Sequence, residues 1–289
     1  MIYRSENILT IDFFFHINKG KSANMSEYDK MILTATTANS WIYPDVKNWA
    51  ENLDDLVNDV IDCYEAGATI AHVHLPRGLE KETVTRIREN CDIIIQGGMS
   101  SDSIPDREGD FEAKPDMLSI ILNHHDEHFT QVSVNKIHTL EELEEYCSKC
   151  KQYHIKPEWE VWHTGSFWNL NYLIEKNIIN PPHVLTLFFN WPGGTWSPPT
   201  ADEYLHRIKY MPPKSLHTVS IMGNNQTEIA TLAISYGGNV RVGTEDYPFI
   251  KKGVPARNNA EIVSRMVRIS KEMGRDVADP SDGRKIVGI

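Results

Sequence analysis

Two histidines one residue apart, His72 and His74, stand in the segment TIAHVHLP among apolar and β-branched neighbours. Side chains alternate along a strand, so the pair shares a face, roughly 7 Å apart along it. Far along the chain, in NVRVGTED, Arg241, Gly243 and Glu245 share one face, Val240 and Val242 take the other, and Asp246 follows. Two imidazoles and one carboxylate, with a fourth position left to water or substrate, make a catalytic zinc site. Arg241 offers a planar fork of donors suited to a carboxylate or an oxyanion. Asp246 is available to take a proton. A hydrogen-bonded core pair is the plainer reading of two histidines, but a same-face pair at the C-terminal end of a strand favours a metal.

Residues 72 and 245 meet only if the fold joins the two ends of the chain. The pattern alternates throughout. MILTATTA (31–38) reads as a buried strand and NLDDLVNDVIDCYEAG (52–67) as an amphipathic helix, with Asn52 as N-cap and Gly67 as the stop. TIAHVHLP, DIIIQGG, MLSIILN, PEWEVWH, HVLTLFF, LHTVSIM and NVRVGTED read as seven further strands, each followed sooner or later by a helix. Eight such units predict a (β/α)8 barrel. A doubly wound open sheet is the alternative, but no G-x-G-x-x-G follows the first strand. With no linker-like tract inside the chain, the reading is a short N-terminal extension (1–29) and one barrel domain (30–289). In a closed barrel strand 8 neighbours strand 1, which neighbours strand 2. Glu245 and the histidines are then roughly 10 Å apart at the backbone, a gap that inward side chains can close on a common ion. The other strand ends that could line a pocket are NHHDEH (His124, His125), Glu160, inward by parity on strand 5, and Trp191 to Gly194 after strand 6. The remaining tryptophans read as filling barrel and interface space.

Composition excludes several classes. The 289 residues carry a formal net charge of −11, which argues against a nucleic-acid partner. No apolar run approaches the ~20 residues that span a bilayer, so no membrane is expected. The first thirty residues hold a short apolar patch at Phe13 to Phe15, broken by Asp12 and His16, and do not read as a signal peptide. They read as a poorly packed extension, or a strand that covers a barrel end or joins a partner subunit. The four cysteines are too few for a disulfide framework. Cys147 and Cys150 form a C-x-x-C, but within a helix and without a second pair. A reducing cytoplasm fits.

The segments HVHLPRG, KPDMLS, KPEWEVWHTG, WPGG and GGNVRVGTEDYPFIKKGVPARNNAEIVSRMVRISKEMGR resemble the β-keto acid cleavage enzymes, whose best-known member is the 3-keto-5-aminohexanoate cleavage enzyme. The resemblance covers roughly residues 30 to 289. It implies a zinc-dependent (β/α)8 barrel, usually a homo-oligomer (tetramer or dimer), that condenses a β-keto acid with acetyl-CoA and returns acetoacetate and a new CoA thioester. By position it implies His72, His74 and Glu245 as ligands of one Zn2+ per chain, with Arg241 and Asp246 as catalytic residues. The departures fall around the substrate. After strand 3 the family's Ser/Thr-Thr-Gly-Gly is QGGMSSDS, which moves the hydroxyl role to Ser100 or Ser101. The Gly-Ser or Gly-Thr before Asn-Phe after strand 4 has become NHHDEHF, placing His124 at the pocket. An acidic residue after strand 1 is replaced by Asn39 and Ser40. After strand 7, GNNQTE lacks the usual arginine, and Arg77, Lys251 and Lys252 are alternative partners for CoA phosphates.

Two other classes stay open. A metal-dependent hydrolase would use the same ligands to activate water, with Asp246 as base, although such barrels begin with H-x-H on the first strand and not the second. A non-catalytic homologue is the other, against which Arg241 and Asp246 stand.

Overall fold

The computed structural model describes residues 30–289 apart from 39, 48–49, 123 and 130–131, so the N-terminal extension (1–29) and Asn39 lie outside the described residues. In chain order the strands are β1 (Leu33–Thr36), β2 (Ile70–Val73), β3 (Ile94–Gly97), β4 (Met117–Ile121), β5 (His124–His128) and β6 (Ser133–Ile137). They continue as β7 (Lys156–Val161), β8 (His183–Phe189), β9 (Ser215–Ile221), β10 (Asn239–Gly243), β11 (Phe249–Lys251) and β12 (Val254–Pro255). Eight of them close a barrel in the order β1-β10-β9-β8-β7-β4-β3-β2, every neighbour parallel. The (β/α)8 expectation holds. Parallel barrel strands are covered on both faces, which is why segments such as HVLTLFF are buried end to end.

The helices between the strands bury one stripe each against the outside of the barrel. In α1 (Leu53–Glu65), Leu56, Val57, Val60 and Cys63 are buried, and the Asn52 side chain accepts the Asp55 N–H as the expected cap. In α4 (Leu140–Tyr153) the C-x-x-C cysteines lie on the buried stripe with Leu143 and Tyr146, so both thiols serve packing.

Inside the barrel the chemistry is graded. The lower layer is apolar: Ile32, Ile70, Ile94, Met117 and Val184 form one cluster with Ala278, Ile286 and Val287. The last two belong to α9 (Pro280–Val287), a helix beyond the eight βα units read from the sequence, which closes the bottom of the barrel. It is preceded by a pairing of Met31 with Val277. Toward the strand ends the inward positions turn polar, through His72, Gln96, Ser119, Glu158, Thr186, Thr218 and Arg241.

Two buried arginines brace the mouth from behind. Arg107 donates to the carbonyls of Gly98 and Ser119 (2.6 Å each), and Arg207 to those of Val161 and Trp162 (3.0 and 2.9 Å). Each satisfies carbonyls where a strand ends and the sheet no longer can.

One segment departs from expectation. NHHDEHF, read as an ordinary strand-end loop, forms β5, which pairs antiparallel with β6. This hairpin is tied to the loop after β8: Pro192 accepts the His128 N–H (2.9 Å) and Asp126 Oδ2 the Gly194 N–H (3.0 Å). Gly193 permits that approach, with φ +137° and Asp126 O lying where a Cβ would project.

Candidate active site

Barrel register places the ligand residues. Thr36 on β1 is level with His72 on β2 and with Gly243 on β10. His74 lies one residue beyond β2 and Glu245 two beyond β10, so both reach in from the C-terminal strand ends, where the sequence places them. Gly243, at φ +149°, makes the turn there, since a Cβ would strike the Thr36 carbonyl oxygen.

His72, His74 and Glu245 each offer one ligand atom, all within 4.8 Å of one another. His74 Nε2 is 3.3 Å from Glu245 Oε1, and His72 Nε2 3.6 Å from Oε2. Two ligands at tetrahedral angles on zinc, about 2.0–2.1 Å from it, lie roughly 3.3 Å apart, and each histidine nitrogen is near that spacing from one of the two Glu245 oxygens. Three further features fit an ion. His72 Nδ1 is 2.9 Å from Gln96 Oε1, which fixes the proton there and turns the Nε2 lone pair to the site. Burial, with Arg241 nearby, lowers His72 to a pKa of about 3, so the ring is neutral. Gly98 leaves room for both rings, because a Cβ there would lie 2.9 Å from His72 Nε2 and 2.8 Å from His74 Nε2.

Beneath the triad is a charged layer. Arg241 donates through Nη2 to Glu245 Oε2 (2.7 Å) and Asp246 Oδ1 (2.9 Å), and through Nε to both Asp246 oxygens (3.2 Å). Ser220 adds a bond to Asp246 Oδ2 (2.9 Å), and the Thr36 hydroxyl bonds Glu245 Oε2. Burial alone would raise the Glu245 carboxyl, but Arg241 and the two histidines hold it well below the usual range. Burial raises Asp246 to about 6 against the opposing pull of Arg241.

The cavity above is lined by the triad, Arg241, Ser100, Ser101, Glu160, Trp162 and Trp191, with Trp41 and Phe129 on one side and His125 and Glu127 from the hairpin. Ser100 and Glu160 therefore stand with the metal-ligand set. Asp246 lies behind Arg241, outside the lining. Two expected pocket residues are elsewhere. Ser40 is buried but bonded locally, accepting the Tyr43 N–H (3.1 Å). His124 faces away from the cavity, because alternation along β5 turns His125 and Glu127 inward in its place. Trp159 packs in the core as expected, whereas Trp162 joins Trp191 on the cavity wall. Gln96, Gly98 and Thr36 were not read as site residues; strand parity with His72 would have marked Gln96.

Glu158, one inward position below Glu160 on β7, bears on stability. Burial and the neighbouring Glu160 raise its pKa from 4.5 to about 8. A carboxyl raised on folding costs nothing below about pH 4.5, and an increasing amount as pH climbs to about 8. Glu158→Gln, which mimics the protonated acid, should therefore be more stable than wild type above pH 5. The gap should widen to about pH 8 and level off on the order of 1–4 kcal/mol. Denaturant melts from pH 5 to 9 check this, and a gap that does not change with pH would refute it.

The fold and the cluster define a class: a (β/α)8 barrel whose strand ends present a His–His–Glu set able to take a divalent ion. Residues 30–289 match the beta-keto acid cleavage enzyme family, and the chain belongs to it. The 3-keto-5-aminohexanoate cleavage enzyme of Acetoanaerobium sticklandii is 32% identical over 275 residues, covering 90% of this chain and 99% of that one. The 3-oxoadipate:acetyl-CoA acetyltransferase of Cupriavidus necator is 26% identical, covering 78% and 83%. Among solved structures, a binary complex of ObcA with oxaloacetate shares the fold, with a TM-score of 0.66 at 14% identity, covering 83% of this chain and 67% of that one.

Proposed function

We propose that the chain is a zinc-dependent β-keto acid cleavage enzyme, condensing its substrate with acetyl-CoA to give acetoacetate and a new acyl-CoA. The observation that carries this is the joining of His72, His74 and Glu245 with Arg241 and Asp246 at one barrel mouth, in a chain of this family. The three ligands would hold the ion, which when bound supplies a Lewis acid for the keto oxygen. Arg241 binds the two carboxylates through Nε and Nη2, leaving Nη1 for the substrate carboxylate or an oxyanion. Asp246, raised by burial to a pKa of about 6, is the base: when Arg241 turns to the substrate and uncovers it, its carboxylate takes the proton from the methylene between the keto and carboxylate carbons. That carbon attacks the acetyl carbonyl and CoA thiolate leaves. The thiolate then attacks the original keto carbon, the bond to the methylene breaks, and the departing acetoacetate recovers the proton from Asp246. Ser100 and Glu160 contact the acid.

Acetyl-CoA as co-substrate is supported by the names of three relatives, among them the 3-dehydrocarnitine:acetyl-CoA trimethylamine transferase of Rhizobium meliloti, which matches 45% of this chain. Arg77, exposed beside the mouth and paired with Asp102 (2.9 Å), is a partner for CoA phosphates, as are Lys251 and Lys252. We assign the enzyme to a reducing cytoplasm, as its four free cysteines suit, and to a homo-oligomer, for which the exposed Trp168 and Trp196 offer apolar surface. Among the described residues no helix is long and apolar enough to cross a membrane.

The test incubates the protein with a broad set of β-keto acids, with and without acetyl-CoA, and follows acetoacetate and new thioester by mass. Both products should appear only with acetyl-CoA. Cleavage without a CoA ester would mean a hydrolase, and silence across the set a protein that does not catalyse.

A further inference from the structure

The hairpin carries polar groups for which the reaction above has no use. His125 and Glu127 on β5 are 4% and 3% exposed and line the same cavity as the His–His–Glu set. His125 Nε2 and Glu127 Oε2 are engaged with each other. Their other atoms are not: His125 Nδ1 and Glu127 Oε1, with the nearby Trp191 Nε1, are buried and have no hydrogen-bond partner among the described residues. Folded proteins leave few such groups, and each costs about 1–3 kcal/mol. Three gathered at one cavity are a demand for a ligand. They surround Trp162, whose ring meets His125 edge-on at 4.4 Å and Trp191 at 5.4 Å between centroids.

Burial also decides their protons. Desolvation lowers His125 to a pKa of about 4 and raises Glu127 well above the usual carboxyl range, so burial drives both groups toward their neutral forms. In that neutral pair the contact between Nε2 and Oε2 uses one proton, which assigns the other to Nδ1. The free atoms are then two donors, His125 Nδ1–H and Trp191 Nε1–H, and one acceptor, Glu127 Oε1. Among the described residues Arg241 is the one lysine or arginine in the lining; Glu245 and Asp246 engage its Nε and Nη2, and the reaction above uses its Nη1.

We propose that His125, Glu127 and Trp191 form the pocket for the variable end of the β-keto acid, and that this end is a neutral group that both accepts and donates hydrogen bonds: a hydroxyl or a primary carboxamide. This rests on the reading of the site as a β-keto acid cleavage enzyme. A carboxylate end would face Glu127 and Glu160 with no free cation. An alkyl end would leave all three polar atoms unpaired. An ammonium would satisfy Glu127 Oε1 but turn its hydrogens toward two N–H groups.

The experiment takes full-length, zinc-loaded protein with acetyl-CoA and β-keto acids of equal length ending in methyl, hydroxyl, carboxamide, ammonium or carboxylate. The hydroxyl or carboxamide acid should exceed the methyl acid by about 100-fold or more in kcat/KM, as in sites built to hydrogen-bond their substrate. In the His125→Leu, Glu127→Leu double variant that ratio should fall to about 10-fold or less, the methyl acid gaining as the polar ones lose. Wild-type preference for the methyl, ammonium or carboxylate acid would overturn the inference while leaving the proposed function intact. If no acid turns over, the function fails instead. The inference is then read by calorimetric binding of the same acids, where the same order is expected and a flat order would overturn it.

Discussion

Protein purified without chelators should contain about one zinc per chain, and His72→Ala should remove it. Two imidazole nitrogens and a carboxylate come within 4.8 Å of one another, and His72 is neutral with its other nitrogen engaged by Gln96. Losing one of three protein ligands leaves too few to retain the ion. Gln96→Leu touches no donor atom, yet releases the ring from its orientation and should weaken zinc binding about 10- to 100-fold. Elemental analysis and competition with a chromophoric chelator measure both. Less than about a tenth of an equivalent in wild type, with no change in His72→Ala, would remove the metal from the account.

Asp246→Asn and Glu245→Gln should separate cleanly, although the residues are adjacent and share Arg241. Glu245 is a ligand in this reading, so Glu245→Gln should lose zinc and turnover together. Asp246 makes its contacts to Arg241 and Ser220 and takes no part in the His–His–Glu set. Asp246→Asn keeps the shape but cannot accept the substrate proton, so it should hold zinc normally and lose turnover by about 100-fold or more. Metal content and acetoacetate formation on the same preparations decide the matter. Equal metal loss in both variants would mean that Asp246 is a ligand and not a base.

The barrel and the meeting of His72, His74 and Glu245 were legible because both rest on strong local signals. Apolar runs between amphipathic helices repeat eight times, and strand parity alone puts His72 and His74 on one face and Arg241 with Glu245 on another. The hairpin was not legible. His124 to His128 is polar at every position, so hydrophobic alternation has nothing to mark. The strand is held through Asp126 and His128 by the β8–α6 connection (α6 is Ala201–Tyr210), and its inward His125 packs on Trp162, both far away in sequence. His124 and His125 were therefore both candidates for the pocket, and only the hairpin's alternation separates them. The closing helix α9 was missed for a related reason: its buried Ile286 and Val287 are too few to stand out and matter only because the barrel floor lies above them.

The hairpin also bears on how such an enzyme diversifies. The His–His–Glu residues are held by the register of three neighbouring strands, a property of the whole barrel. Residues 124–137 are one excursion between β4 and α4, fastened at the far side through main-chain atoms and Asp126. Main-chain fastening is indifferent to which inward side chains the strand presents. A lineage can thus rewrite positions 125 and 127 and change the acid it accepts while the chemistry stays put. A designer can do the same by grafting this hairpin, with its Gly193 landing site, onto a related barrel.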